Sequence, residues 1–102
     1  MATVKTKFRA STVTTGEGAL FYQVIHNRIA RQINTGYKLY PSEWITVDSE
    51  VVLPSDIDQS RRSYLTQLKT VLIEDTSRLK NIIDRLEQTG NTYVTNKVVE
   101  LY

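Results

Sequence analysis

The sequence predicts an α+β fold: a three-stranded antiparallel sheet packed on one long C-terminal α-helix. Three observations predict it. Residues 3–39 are rich in Val, Ile, Thr and aromatic side chains and fall into three extended stretches separated by turn residues. Residues 56–89 contain neither glycine nor proline and repeat leucine and isoleucine at spacings of three and four. The 102 residues suffice for one compact domain and fall short of two.

The first strand is expected over residues 3–13. Val4, Thr6, Phe8 and Ala10 fall on one side and Lys5, Lys7 and Arg9 on the other, the period of two of a half-buried strand. Thr15-Gly16-Glu17-Gly18 reads as a turn. The second strand, residues 19–27, should point Leu20, Tyr22 and Val24 inward and Phe21, Gln23 and Ile25 outward. His26-Asn27-Arg28 is expected to turn the chain, since asparagine tolerates positive φ. This turn lacks the glycine of the strongest hairpin signal, which leaves its register open. In the third strand, residues 29–39, Ile33 and Tyr37 go inward, and Gln32 and Asn34 outward. Gly36 interrupts it, as a bulge or a close backbone approach would.

Residues 40–55 carry two prolines and the only tryptophan, and are expected to cross the sheet as a connection pinned by Trp44. Ser55-x-x-Asp58 resembles a capping box that opens the helix, placed over about residues 56–89, and Gly90 stops it. At 1.5 Å per residue the helix is roughly 45–50 Å long, more than a three-stranded sheet is expected to cover. Asp75 interrupts its apolar stripe. The N-terminal half is therefore expected on the sheet, with the C-terminal half projecting or meeting another partner. Residues 93–102 suit a short helix capped by Thr95 or an extra strand, and their apolar finish is expected of a piece of a longer protein.

Charge is unevenly spread. Net charge is +2, yet residues 1–40 hold six basic residues against Glu17 alone, and residues 41–102 hold seven basic against ten acidic. A basic front half is the electrostatic footprint of a polyanion binder. Cysteine is absent, which excludes disulfides and thiolate metal sites and fits a reducing, cytoplasmic setting. No run of 18 apolar residues occurs, so no membrane span is expected. The sole histidine, His26, has no second histidine or cysteine to share a metal, and is expected to be structural or solvent-facing. Phosphate-cradling glycine motifs are missing. No catalytic residue, metal, cofactor or small-molecule substrate is therefore expected.

The outward side of the sheet would carry Lys5, Lys7 and Arg9 beside Gln23, Gln32 and Asn34, with Arg28 and Arg31 flanking the hairpin and Lys38 at the far end of strand three. Lysine and arginine neutralise phosphates, while arginine, glutamine and asparagine can form paired bonds to guanine or adenine edges. Double-stranded DNA is the partner these types suit. Solvation alone also accounts for a polar outer face.

The stretch from Gly18 to Trp44, with Asn34-Thr35-Gly36 and Pro41-Ser42-Glu43-Trp44, resembles the N-terminal arm-type DNA-binding domain of Bacteroides-type tyrosine recombinases. These are the integrases of phages and conjugative transposons. The long helix and the closing Tyr93-x-x-x-x-Val98-Val99 extend the likeness over nearly the whole chain. Three features depart from the family: Gln23 stands where arginine is common, the turn lacks Asn-Gly, and Ile45 replaces aspartate after Trp44. The resemblance implies a sheet laid in the major groove of arm-type sites, with neighbouring integrase protomers as further partners. Residues 1–90 would form the arm domain, and residues 91–102 a linker or the start of the following core-binding region. Recombination by a tyrosine nucleophile would belong to a C-terminal domain outside this chain. A rival reading is a protein-interaction or dimerisation module that docks through Leu79, Ile82, Ile83 and Leu86 of the helix.

Overall fold

The computed structural model describes residues 2–10, 16–46 and 48–102. Strands β1 (Thr3–Arg9), β2 (Gly18–His26) and β3 (Ile29–Leu39) form one antiparallel sheet in that order. A 3₁₀ turn at Pro41–Glu43 leads into a small hairpin, β4 (Trp44–Ile45) against β5 (Glu50–Val51). Helix α1 (Gln59–Gln88) and a short helix α2 (Thr95–Leu101) follow. The expected α+β architecture is the observed one. β1 ends at Arg9, short of the expected residue 13, and residues 11–15 lie outside the described residues.

The hairpin between β2 and β3 turns on Asn27 and Arg28, both with positive φ (51° and 66°). Two consecutive left-handed residues are the mark of a type I′ turn, whose twist matches that of the flanking strands. The turn thus forms without glycine and fixes the register: Gln23 faces Gln32 and Phe21 faces Asn34. Nearer Ala19 the pairing shifts, so that Leu20 opposes the Thr35–Tyr37 segment with Gly36 at φ +79°. The Thr35 hydroxyl donates to the Leu20 carbonyl at 2.8 Å and secures this bulge. Because the shift is an even number of residues, Lys38 keeps the face it would otherwise have had.

Helix α1 begins later than expected. Asp58 is its N-cap rather than the last residue of a box begun by Ser55: its carboxylate accepts the Arg61 N–H at 2.8 Å. The C-terminal half of the helix does not project: of the two expected alternatives it takes the second, meeting α2 as well as the sheet. Thirty residues span about 45 Å, while the eleven-residue β3 alone extends about 37 Å. Leu65 and Leu68 pack with Leu20, Leu39, Trp44 and Val51 at one end. Leu79 and Ile83 pack with Ala2, Tyr22, Val24 and Val98 at the other, and Leu72 touches both clusters. Trp44 is buried beside Phe8, ring centroids 6.3 Å apart, as its pinning role requires.

Two polar arrangements sit within this packing. At the seam of the clusters Asp75 Oδ2 accepts hydrogen bonds from the hydroxyls of Tyr22 (2.8 Å) and Tyr37 (3.1 Å). The residue that breaks the apolar stripe therefore ties the helix to two strands of the sheet. Burial, then the Asp75 hydrogen bonds and charge, push both tyrosine hydroxyls above their usual pKa. At the β3 end, the guanidinium of Arg61 bonds Glu43 (2.6 and 2.8 Å) and Glu17 (3.1 Å) between the rings of Tyr40 and Tyr64. Burial alone would raise the Glu43 pKa. The Arg61 bonds and the Tyr40 N–H outweigh it and hold the carboxyl below its ordinary value.

Within residues 91–102, Thr95–Leu101 form a helix that packs on the sheet and α1. α2 closes the core, with Val98 fully buried and the Thr95 hydroxyl bonded to the carbonyls of Ile29 (2.8 Å) and His26 (3.2 Å). Thr95 therefore spends its hydroxyl on the β2–β3 hairpin, and Val94 takes the N-cap position. His26 stacks on Tyr93 at 4.1 Å, a structural placement. Among the described residues no helix is long and apolar enough to cross a membrane.

Candidate nucleic-acid interface

The face of the sheet opposite α1 is ordered by strand pairing. Residues directly opposite one another on neighbouring strands share a face, their Cβ atoms about 4.5–5.5 Å apart. One row is Lys5, Gln23 and Gln32; the next is Lys7, Phe21 and Asn34; the third is Arg9, Ala19 and Lys38. Along β1 the cations recur every second residue, about 6.8 Å apart. Lys5, Lys7, Arg9, Gln32, Asn34 and Lys38 are all exposed, and Gln23 at the centre is half-buried by its neighbours. Val4, Thr6 and Phe8 alternate with the cations and are partly buried toward the helix. The three strands contain no aspartate or glutamate at all.

Within this lattice the cations differ. Lys5 and Lys7 stand at the outer edge of the sheet. Arg9 instead lies across it: its Nη2 donates to Gln32 Oε1 at 2.8 Å, and its guanidinium carbon is 4.9 Å from the centre of the Phe21 ring. Phe21 is an aromatic ring on the outer face, yet it is only 9% exposed, because its neighbours cover it. Lys38 closes the far corner on β3, its backbone held at both N–H (3.2 Å) and C=O (2.6 Å) by the Tyr64 hydroxyl.

Two of the expected residues lie elsewhere. Arg28 occupies the hairpin tip, exposed, beyond the last row. Arg31 is on the opposite face. It pairs with the inward Val24, and its Nε donates to Asn96 Oδ1 of α2 at 2.8 Å. Alternation alone assigns it there once Gln32 points outward. The expected set thus divides into seven residues on one face, Arg28 at its tip and Arg31 behind.

The residues that a docking role for the helix requires at the surface are engaged within the fold. Leu79 and Ile83 are buried, and Ile82 and Leu86 pack against the same cluster. Among the described residues no group of three or more His, Asp or Glu side chains is arranged to hold a metal ion. Comparison with models of protein families, with curated proteins and with solved structures finds no match.

Proposed function

We propose that the chain binds double-stranded DNA, laying the outer face of β1–β3 in the major groove, as a non-catalytic arm-type domain of a site-specific tyrosine recombinase. The observation that carries this reading is the in-register lattice: three cations on an edge strand beside Gln23, Gln32 and Asn34, on a face that no helix among the described residues covers. Two strand spacings set β1 about 10 Å from β3, against a major groove about 12 Å wide. Edge-strand cations then meet phosphates along one wall, while the central amides face the base edges. Lys38 and Arg28 supply charge at opposite ends of β3. Strand exchange would be the work of a separate catalytic domain, and the site specificity of the whole protein would begin with this face.

The test is a titration of duplex DNA at several salt concentrations. Five cations, Lys5, Lys7, Arg9, Arg28 and Lys38, set an upper slope of log affinity against log salt of about −4.5. Replacing Lys5, Lys7 and Arg9 together by alanine should bring the slope to about −2 and remove most of the affinity, with the fold retained. Unchanged affinity in that variant would contradict the reading.

A further inference from the structure

Resting on that reading, we propose that Arg9 is the specificity-determining residue of the face, reading a guanine, while Lys5 and Lys7 hold phosphates without regard to sequence. The three side chains leave the same strand on the same side, so alternation treats them alike. Their surroundings do not. Lys5 and Lys7 make no hydrogen bond or ion pair among the described residues, and each remains a mobile point charge on a flexible stem. Arg9 is opposite Ala19, one row from Phe21 and two from Gln32, yet its guanidinium reaches both. The side chain runs diagonally over β2 and sets its charge above the middle of the sheet instead of its rim.

Position and chemistry then agree. A group above the middle of a sheet seated in the major groove meets the groove floor, where guanine offers its O6 and N7 acceptors. Guanidinium carries five N–H donors in a fixed fork, and the bond to Gln32 uses one of them. Phe21 supports the guanidinium from below, and Gln32 fixes its rotation, so the ordering that an arginine usually undergoes on binding is largely complete beforehand. With its Oε1 engaged, Gln32 keeps its two amide donors for the neighbouring base or phosphate.

The experiment selects bound duplexes from a random-sequence library with the wild-type chain, then compares the selected duplex with one in which the preferred G·C pair is changed to A·T. Wild type should favour guanine by roughly five- to 150-fold. Arg9→Ala should bring that ratio close to one, while Lys5→Ala or Lys7→Ala should keep the ratio and reduce the salt slope by about 0.9 each. Arg9→Lys keeps the charge and a stem over Phe21 but gives up the planar fork held by Gln32, so it should reduce the preference several-fold with the slope unchanged even if the alanine variant is poorly folded. If wild type selects no sequence, or if Arg9→Lys keeps the preference, the inference is overturned while duplex binding stands. If wild type binds no duplex, the inference falls together with the function beneath it.

Discussion

Arg28 occupies a position that the backbone reserves for glycine. The second central residue of a type I′ turn takes positive φ, and a side chain there costs about 1 kcal/mol. Among the described residues Arg28 has no hydrogen bond or ion pair to offset that cost. It does extend the cationic outer face past the end of the strands. Arg28→Gly is therefore expected to stabilise the fold by about 1 kcal/mol, seen as a rise of several degrees in melting temperature. The same variant should weaken duplex binding and lower the salt slope by about 0.9. A change in stability without a change in binding would make the arginine incidental. The placement of Arg31 carries a related lesson. Its identity suits DNA, but its parity with Gln32 sends it to the α2 side, where Asn96 receives it. Residue type suggested a role that the period of two denies. The Arg9–Phe21–Gln32 contact was not legible in the sequence, because the register of a glycine-free turn had to be known first.

At the scale of elements, the interface depends on α1 staying on the other side of the sheet. Asp75 is central to that. Its Oδ2 is the acceptor of both tyrosine hydroxyls, one from β2 and one from β3, midway between the two apolar clusters. Asp75→Leu should leave two hydroxyls without an acceptor and lower stability by about 2 kcal/mol in urea denaturation, whereas Asp75→Asn, which keeps an acceptor, should lower it less. Equal stability of the leucine variant would refute the role. The tyrosines also set a pH dependence. Burial and Asp75 raise the folded pKa of Tyr22 and Tyr37 above the ordinary 10.0. The unfolded chain loses these protons first, so the contribution is whole below pH 10 and declines as pH rises beyond it. The strands, the helix and the glycine stop at Gly90 could be read from period and punctuation, since those signals are local. The path of the helix could not. Its C-terminal half meets Ala2, Tyr22, Val24 and Val98, residues distant from it in the sequence or on another element. Nor does the sequence reveal that Thr95 would bond the β2–β3 hairpin and fold α2 into the core, a contact across more than sixty residues.

Taken as a whole molecule, the chain keeps its acids out of the sheet, while its basic residues occupy both the sheet and the helices. Every acidic residue lies outside the three strands, and those strands carry all six basic residues of the first forty except Arg28, which sits in the turn between two of them. On the proposed function, the strand cations would draw DNA to one side of an elongated body, 50 × 26 × 22 Å, whose other side is closed by α1 and α2. The Arg61–Glu43–Glu17 network at the β3 end pairs two carboxylates with one guanidinium, which offsets one of their two charges. On the same proposal, the outer face of β1–β3 meets DNA and the α1–α2 side does not. Side-chain amide resonances test this directly, because they report faces that backbone amides of a sheet do not separate. On adding duplex DNA to the labelled chain, the amide groups of Gln23, Gln32 and Asn34 should shift, while those of Gln67, Asn81 and Asn96 should stay in place. Shifts confined to the second group, or none in the first at saturating DNA, would contradict the account.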